Sequence, residues 1–245
     1  MPDLVLTFDY WDTLYAAVSV PERVAERRGI IGELLRTLGR EVSSGDLARL
    51  YQASAAEADR WWREEHRGYS TSDRIRWMLT QLQIERPETC EHIARAVDAV
   101  DRTMIDYPPA LIDGAAAAIR ELARHFRLAV VSDTGFVTGR AQDAILERDG
   151  IRQYFVATVY SMDVGHAKPR PEPFLTALAA LGVEPARAIH IGDIERTDVA
   201  GALNVGMRAI RADFMRGGGS SAAEYVATGY DELVEYLTTD RGSER

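Results

Sequence analysis

Hydrophobic residues follow two different spacings along the chain, which divide it into a helical stretch and a mixed stretch. Between about residues 21 and 106, apolar positions recur every three or four residues, as on one face of an amphipathic helix. Four such helices with short connections predict a small bundle. Their predicted starts are Pro21 as a first helical residue, Ser44 as an N-cap, Ser70 or Ser72, and the segment after Pro87.

The second of these predicted helices carries a pair of adjacent tryptophans. Trp61 and Trp62 fall on its apolar face, and we interpret both as part of the bundle core. His66, Arg67 and Tyr69 follow near the end of the helix. These three residues either point toward a functional site or form a surface turn, and the pattern does not choose between the two.

Outside that stretch, short apolar runs alternate with helical patterns. Strands are predicted at residues 4–8, 128–132, 154–160, 188–191, 207–210 and 225–227, and helices at 114–125, 138–148, 171–181, 197–205 and 231–237. Strands that alternate with helices predict an α/β fold with a parallel, doubly wound, Rossmann-like sheet. The first strand belongs to that sheet, so we expect a core of residues 1–15 and 107–245, interrupted by a four-helix insertion over residues 16–106.

Composition and charge restrict the class of protein and its partners. With 245 residues and 46% hydrophobic residues, the chain is large enough for a proper core. A net charge of −9 without a block of like charge argues against binding to nucleic acid or to anionic membranes. No apolar run reaches the length of a membrane span, and the N-terminus lacks the pattern of a secretory signal. The single cysteine, Cys90, suits a reducing compartment, so we expect a cytoplasmic protein. We expect it to be a monomer or a homodimer.

Polar residues whose side chains could take part in catalysis or binding lie near the ends of several predicted strands. Asp9 follows the first strand and Ser132 ends the second, in the segment V-V-S-D-T-G. Lys168 opens the segment K-P-R-P-E-P-F, and Asp193 and Asp198 share the segment G-D-I-E-R-T-D. Parallel sheets of this type bind ligands at the carboxyl ends of their strands. We therefore expect these side chains to form one site.

The residue types in this site suit phosphoryl transfer. A carboxylate such as Asp9 can attack a phosphoryl group and divide hydrolysis into two easier displacements. Since the carboxylate and the phosphate are both anionic, a divalent cation must relieve their repulsion, and Mg²⁺ prefers carboxylates such as Asp193 and Asp198. Lys168 and the Ser132 hydroxyl can then hold the remaining phosphate oxygens.

In these motifs the chain resembles the haloacid dehalogenase superfamily of hydrolases, in the subgroup that has a helical cap inserted after strand one. The resemblance covers essentially the whole length, and it implies that Asp9 is both nucleophile and metal ligand. It further implies that the backbone carbonyl of Trp11 joins Asp193 and Asp198 around Mg²⁺, and that the phosphate-binding and catalytic residues include Ser132 and Lys168. The expected function is hydrolysis of a small phosphorylated metabolite through an aspartyl-phosphate.

One position departs from the phosphatases of that superfamily. They usually place a second Asp two residues after the nucleophile, as the general acid for the leaving alcohol, and here that position is Trp11. The missing acid could cost roughly 10²–10⁴ in rate for poor leaving groups. Either Asp12, the cap or water supplies the proton, or the substrate has a good leaving group, or catalysis is weak. We interpret Asp12 as a turn residue, because adjacent residues on a turn generally point in different directions.

Two other functions are compatible with the pattern. The 2-haloacid dehalogenases of the same superfamily also have an aromatic residue at the position of Trp11, and they use their Asp without metal to displace halide from carbon. They lack the Gly-Asp pair that this chain keeps at Asp193, which favours a phosphatase. A catalytically weak protein that binds phosphorylated ligands is the third possibility. Asp133 either attracts a cationic part of the substrate or, as we prefer, caps the next helix.

Overall fold

The strands form one parallel sheet, as the alternating pattern predicts. The computed structural model describes residues 4–18, 20–84, 89–215 and 217–239. The sheet has six strands in the order β3-β2-β1-β4-β5-β6, and each neighbouring pair is parallel. The strands are β1 (Val5–Phe8), β2 (Arg127–Ser132), β3 (Phe155–Tyr160), β4 (Ala188–Gly192), β5 (Arg208–Ala212) and β6 (Tyr225–Ala227).

The helices lie close to the predicted ranges. Those between β1 and β2 are α1 (Pro21–Thr37), α2 (Ser44–Arg63), α3 (Thr71–Gln81), α4 (Thr89–Asp106) and α5 (Ala115–Leu122). The later ones are α6 (Gly139–Arg148), α7 (Ser161–Val164), α8 (Pro171–Leu181), a π-helical turn (Glu195–Val199) that continues into α9 (Ala200–Asn204), and α10 (Tyr230–Thr238). None of the helices in the described segments is both long and apolar enough to cross a membrane.

The helix starts confirm some predictions and correct one. Pro21 is the first residue of α1, and Ser70 caps α3 in a capping box with Asp73. The prediction of Ser44 as the cap of α2 is wrong by one residue. The cap is Ser43, whose hydroxyl accepts the backbone N–H of Asp46. The segment that contains Pro87 lies outside the described residues.

The strand order places a topological switch between β1 and β4. From β1 the chain moves outward through β2 and β3, and it then returns to place β4 on the other side of β1. Phe8 pairs with Val130 of β2 on one side and with Ile191 of β4 on the other. A crevice opens outside the carboxyl ends of the strands at such a point, so the fold class is confirmed and the position of a site follows from it.

Alternating strand residues feed two cores, one on each face of the sheet. Leu6 and Phe8 join the core beneath α5, α6 and α10, whereas Val5 joins the core beneath α8 and α9. Each strand in the middle of the sheet is therefore apolar on both sides, which explains why the strands read as continuous apolar runs.

The four helices α1 to α4, here called the helical layer, share a third core of their own. Helix α1 packs against α2 and α4, and α3 packs against α2 and α4, as in a small bundle. Phe136, from the loop after β2, inserts into this core. The buried members from the layer itself are Ile31, Leu34, Leu35, Leu38, Ile75, Met78, Leu79, Ile93, Ala96 and Val100.

Two backbone and side-chain connections fasten the helical layer to the sheet. The segment after α2 pairs with the loop before Lys168, since the N–H of Gly68 donates to the carbonyl of Gly165 and the N–H of Ala167 donates to that of His66. On the other side, Asp101 of α4 accepts hydrogen bonds from the N–H and the hydroxyl of Thr138, the N-cap of α6. The layer is thus held at both ends over the carboxyl edge of the sheet.

Gly68 provides a test of the first connection. A Cβ at this position would lie 1.8 Å from the carbonyl oxygen of Ser161 and 2.9 Å from the backbone nitrogen of His166. We expect Gly68→Ala to lower the free energy of unfolding by about 1–3 kcal/mol, because backbone atoms cannot yield as a flexible side chain can. The measurement is urea denaturation.

Gly29→Ala is the matched control in the same layer. Gly29 lies within α1, and a Cβ there would meet nothing within 4 Å. The substitution should stabilise the protein by about 0.5–1 kcal/mol, because alanine is the better helix former. Equal effects of the two substitutions on stability would show that a Cβ fits at position 68 without displacing the backbone of Ser161.

Candidate active site

Asp9 lies at the switch point, immediately after β1. Its backbone N–H donates to the carbonyl of Ile191 in β4 at 2.8 Å, which extends the β1–β4 pairing by one residue. The residue is 5% exposed, and its Oδ1 lies 2.5 Å from the Nζ of Lys168. The sheet therefore fixes the backbone of Asp9, and the lysine fixes its carboxylate.

Lys168 is the centre of the site. It lies between α7 and α8, and its ammonium group is 2% exposed. The Nζ donates to Oδ1 of Asp9 at 2.5 Å, to Oδ1 of Asp198 at 2.6 Å and to the carbonyl of Val131 at 3.0 Å. These three acceptors match the three hydrogens of an ammonium group. The lysine thus connects β2 with the segments that follow β1 and β4.

Asp198 is held by a network on the π-helical turn. Its Oδ2 accepts the N–H of Ile194 at 3.0 Å and the hydroxyl of Thr197 at 3.2 Å, and its Oδ1 lies 3.1 Å from Nε2 of His190. Nδ1 of His190 lies 2.8 Å from the hydroxyl of Thr7. Because a carboxylate only accepts, these partners assign the proton of His190 to Nε2.

Glycine at position 192 allows this carboxylate to approach the sheet. A Cβ at Gly192 would lie 2.5 Å from Cγ of Asp198. The Gly-Asp pair in the sequence therefore has a steric reason: Gly192 makes room for one carboxylate, and Asp193 supplies another.

The ionisable groups of the site shift one another's pKa values in opposite directions. Burial raises the pKa of Asp9 well above its usual value; Lys168 opposes this shift, and Asp198 and Asp193 add to it. Burial acts the same way on Asp198, but Lys168 and the His190 hydrogen bond win and hold its pKa below the usual range. Burial lowers the pKa of His190 and so favours the neutral ring, in agreement with its proton assignment.

Three carboxylates gather where a cation is expected. Oxygen atoms of Asp9, Asp193 and Asp198 all lie within 4.8 Å of one another. Carboxylate oxygens are the ligands that Mg²⁺ prefers, so the chemistry of this donor set fits the ion. The structure thus brings together four of the residues predicted for the site, namely these three and Lys168.

The second strand end differs from the prediction in detail. The hydroxyl of Ser132 donates to Oε1 of Gln142 in α6 at 2.8 Å. Ser132 is not among the residues that border the cavity of about 360 Å³ at this site, here called the main cavity. The preferred interpretation of Asp133 as a helix cap is wrong, because Thr138 caps α6. Asp133 instead faces the cavity, where its carboxylate accepts the backbone N–H of Lys168 at 3.2 Å.

Trp62 completes the environment of Asp133 and corrects a second prediction. Its indole Nε1–H donates to Oδ2 of Asp133 at 2.8 Å, and the guanidinium of Arg196 lies 5.0 Å from its ring centroid. Trp62 is therefore a contact between the helical layer and the sheet, while its neighbour Trp61 is buried as predicted. Helical periodicity could not separate the two residues, since both fall near the same boundary of the apolar face.

The two residues after Asp9 occupy the mouth of the site. Trp11 borders the main cavity, and its ring makes an edge contact with that of Tyr10 at 4.9 Å. Asp12 also borders the cavity, with a left-handed φ of 54°, and its Oδ1 accepts the N–H of Ala17 at 2.8 Å. Asp12 therefore acts as a turn residue, in agreement with our preferred interpretation.

The main cavity lies over Lys168 and the three carboxylates of the site. Arg67 and Tyr69 border it from the helical layer, which resolves their ambiguity in favour of the site. Arg74 of α3 also borders it, and the sequence analysis did not identify this residue. The available signal was a charged residue at an apolar-face position of the helix, four residues before Met78.

Fold and site together define an enzyme that works with carboxylates at the switch point of a parallel sheet. The chain belongs to the haloacid dehalogenase-like hydrolases, whose family model matches residues 5–206. The resemblance to this superfamily that the motifs indicate is thereby confirmed. The glyceraldehyde 3-phosphate phosphatase of Methanopyrus kandleri is 28% identical over 204 residues, covering 83% of this chain and 81% of the relative. The 5-amino-6-(5-phospho-D-ribitylamino)uracil phosphatase YigB of Escherichia coli is 27% identical with the same coverage.

Solved structures agree on the fold. A phosphatase of this family from Thermococcus onnurineus has a TM-score of 0.66 and 20% identity, covering 96% of this chain and 98% of that one. A 2-haloacid dehalogenase from Pseudomonas syringae has a TM-score of 0.69 and 23% identity, covering 97% and 98%. Since enzymes of both kinds share the architecture, the fold alone does not select the reaction.

The raised pKa of Asp9 predicts how pH affects the metal-free protein. Ionisation of Asp9 opposes folding once the pH exceeds the pKa of this group in the unfolded chain, about 4. The loss of stability grows until the pH passes the higher pKa of the folded state. Asn cannot ionise, so we expect Asp9→Asn to raise the melting temperature in EDTA, with a gain that grows as the pH rises from the unfolded pKa toward the higher folded pKa. Thermal unfolding at several pH values measures this.

Asp198→Asn is the control of opposite sign. The pKa of Asp198 is lowered in the folded state, so its carboxylate stabilises the protein above the unfolded pKa, and that stability is lost only at more acidic pH. Removing it should lower the melting temperature across the same range. A higher melting temperature in both variants would contradict the conclusion that Lys168 stabilises mainly the carboxylate of Asp198.

Proposed function

We propose that this protein is a Mg²⁺-dependent phosphatase that hydrolyses a small phosphorylated metabolite through an aspartyl-phosphate on Asp9. The observation that carries the proposal is the buried lysine bonded to both Asp9 and Asp198, beside a third carboxylate, at the switch point of the sheet. Two relatives that cover most of the chain are phosphatases of small phosphorylated molecules, which supports the substrate class.

Charge balance supports a divalent cation as cofactor. When ionised, the three carboxylates outnumber the single ammonium of Lys168 by two charges, and this excess repels a phosphate dianion. Asp9, Asp193 and Asp198, with the backbone carbonyl of Trp11, would hold Mg²⁺. When bound, the ion supplies positive charge that offsets the repulsion between the nucleophile and the phosphate.

The residues of the chain then have separate tasks. An oxygen of Asp9 forms a bond to phosphorus as the bond between phosphorus and the leaving oxygen breaks, and water later cleaves the aspartyl-phosphate and restores the carboxylate. Lys168 orients Asp9 through its 2.5 Å bond and contributes positive charge to the transferring group. Ser132 stays a predicted phosphate ligand, which requires its hydroxyl to turn away from Gln142. Asp133 stays a predicted substrate contact through its place on the cavity wall.

The leaving group receives little help from the position next to the nucleophile. An indole at position 11 cannot protonate an alkoxide, and Oδ1 of Asp12 holds the turn at Ala17. Substrates with good leaving groups are therefore favoured unless water supplies the proton.

We propose that the helical layer acts as a cap, with residues 16–106 as the cap domain and residues 1–15 and 107–245 as the core. Its Trp62, Arg67, Tyr69 and Arg74 border the main cavity and would contact the substrate. The cap would also exclude water from the reaction. A cytoplasmic location and a monomeric or homodimeric state remain predictions.

A 2-haloacid dehalogenase is the second candidate, because Trp11 is aromatic at the relevant position. It would use Asp9 without metal to displace halide from carbon. Asp193 argues against it, since another carboxylate beside the nucleophile is of no use to a metal-free displacement. A protein that binds phosphorylated ligands without turnover is the third candidate.

Hydrolysis of p-nitrophenyl phosphate in Mg²⁺ and in EDTA tests the proposal. We expect turnover in Mg²⁺ that EDTA abolishes and that Asp9→Asn reduces by at least about 10³-fold, because the variant lacks the nucleophile. Absence of turnover in the wild type would refute a phosphatase. Halide release from 2-haloacids in EDTA would then establish the dehalogenase, and phosphate binding without any turnover would establish the third candidate.

Trp11→Asp tests the missing acid. A carboxyl group at this position would border the main cavity as the indole does, and it could protonate the leaving alcohol. We expect kcat/KM for alkyl phosphates to rise by roughly 10²-fold over Trp11→Asn, a variant with the same shape but no acid, and to change little for p-nitrophenyl phosphate. Equal rates for the two variants would show that the proton comes from elsewhere.

A further inference from the structure

Three arginines of the helical layer are buried without a carboxylate partner. Arg23 and Arg27 of α1 are 8% and 9% exposed, and Arg74 of α3 is 6% exposed. Within the described part of the chain, no carboxylate forms an ion pair with any of the three. Most other arginines of the helical layer form an ion pair with Asp or Glu at the surface, so these three form a distinct group.

Their hydrogen bonds go to neutral groups instead. Nη1 of Arg23 donates to the carbonyl of Tyr107 at 3.1 Å, and Nε of Arg27 donates to the hydroxyl of Thr103 at 2.9 Å. Nε of Arg74 donates to the hydroxyl of Ser54 at 2.9 Å. Each guanidinium is thus held in a fixed orientation, but its charge is not neutralised.

Arg27 has an unsatisfied donor. Its Nη2 is buried and has no hydrogen-bond partner in the structure. Burial lowers the pKa of Arg27 to about 10; Arg23 and Arg74 act in the same direction, and Tyr51 and Asp101 oppose the shift without reversing it. A buried guanidinium that lacks an anion is costly, and so is a buried N–H that lacks an acceptor. The first of these costs would be reduced by the arrival of an anionic group.

The space for such a group exists beside the main cavity. Arg23 and Arg27 border a cavity of about 310 Å³, here called the side cavity. Its wall includes Trp11 and Gly135, which also border the main cavity, so the two spaces adjoin. One ligand can therefore reach from the carboxylates of the sheet into the helical layer.

Phe136 connects two of the three arginines, Arg74 and Arg27. The guanidinium of Arg74 lies 4.1 Å from the centroid of its ring, and that of Arg27 lies 5.7 Å from the same centroid. Arg74 borders the main cavity while Arg27 borders the side cavity. The only acidic wall residue of the side cavity among those described is Asp133, whose oxygens already accept the indole N–H of Trp62 and the backbone N–H of Lys168.

We infer that Arg27, with Arg23 and Arg74, forms a second anion-binding subsite, and that the substrate carries a carboxylate or a second phosphate besides the phosphate that is cleaved. This inference rests on the proposed phosphatase function and narrows its substrate class to small phosphate esters that carry a carboxylate or a second phosphate. The acidic floor of the site takes the reacting phosphate with its cation, and the arginines of the layer take the other end of the molecule.

Kinetics on matched substrates test the inference. The panel contains the phosphate monoesters of hydroxy acids with two, three and four carbons, the corresponding amides, and the bisphosphates of the corresponding diols. We expect kcat/KM to be at least about 10-fold higher for one anionic series than for the amides of equal length, because only an anion pairs with the buried guanidinium. The better series, carboxylates or bisphosphates, identifies the anion.

Variants at Arg27 connect that preference to the subsite. Arg27→Met should reduce the anionic-to-amide ratio toward one, and Arg27→Lys should restore part of it, since lysine keeps the charge without the forked geometry. Arg28→Met is the control, because Arg28 is the exposed neighbour in the same helix and its removal should leave the ratio unchanged. If Arg27→Met does not fold, Arg27→Gln replaces it, because the amide can still donate to Thr103.

Thermal unfolding supplies a readout that needs no turnover. In EDTA, succinate should raise the melting temperature of the wild type and of Arg28→Met more than succinamide does, and it should lose this effect in Arg27→Met. Without ligand, Arg27→Met should be at least as stable as the wild type, because it removes an uncompensated buried charge. A marked loss of stability together with an unchanged succinate effect would assign Arg27 a structural role only.

The two proposals fail in different ways. If p-nitrophenyl phosphate is not hydrolysed, the phosphatase function is wrong and the substrate class falls with it. If it is hydrolysed but the anionic and neutral esters react equally, or if their ratio survives Arg27→Met, the phosphatase stands and the anion subsite is wrong.

Discussion

The ammonium of Lys168 is the constraint on which the site depends. A buried ammonium is tolerated only if acceptors surround it, and its partners are Asp9, Asp198 and the carbonyl of Val131. Asp9 follows β1, Asp198 follows β4 and Val131 lies within β2, and the three groups meet because β1 lies between the other two strands. The order of the sheet and the geometry of the site are therefore one requirement. A change that separated β1 from β4 would leave an unpaired charge in the interior.

The helical layer adds the opposite charge to this arrangement. The floor of the main cavity carries the carboxylates, whereas its roof carries Arg67 and Arg74, with Arg27 in the adjoining side cavity. The contact from Trp62 to Asp133 and the pairing of Gly68 with Gly165 hold the roof in register with the floor. The polarity across the cavity suits a ligand whose cation-bound end lies on the sheet and whose other end is negative.

The sequence predicts the parts of the molecule that depend on local pattern. The spacing of apolar residues and the turn residues predict the parallel sheet. The positions of Asp9, Lys168 and Asp193 after predicted strands predict that these side chains converge. The hydrogen bond of Ser132 to Gln142 and that of Trp62 to Asp133 were not predictable, because each joins side chains from different elements whose orientation depends on tertiary packing. Arg74 was missed for a related reason: periodicity assigns apolar residues to a buried face, and it gives no reason for a charge there.

The choice between phosphatase and dehalogenase depends on what carboxylates do to one another. A metal-free displacement at carbon needs one ionised nucleophile. Every further carboxylate nearby raises the pKa of that nucleophile and so lowers its ionised fraction. Asp193 and Asp198 have this effect on Asp9, in addition to burial. A divalent cation would reverse this effect, because Asp9, Asp193 and Asp198 would be its ligands and its positive charge would favour the ionised form of Asp9. The arrangement that makes Asp9 a poor nucleophile alone is thus the arrangement that a metal-dependent phosphatase requires.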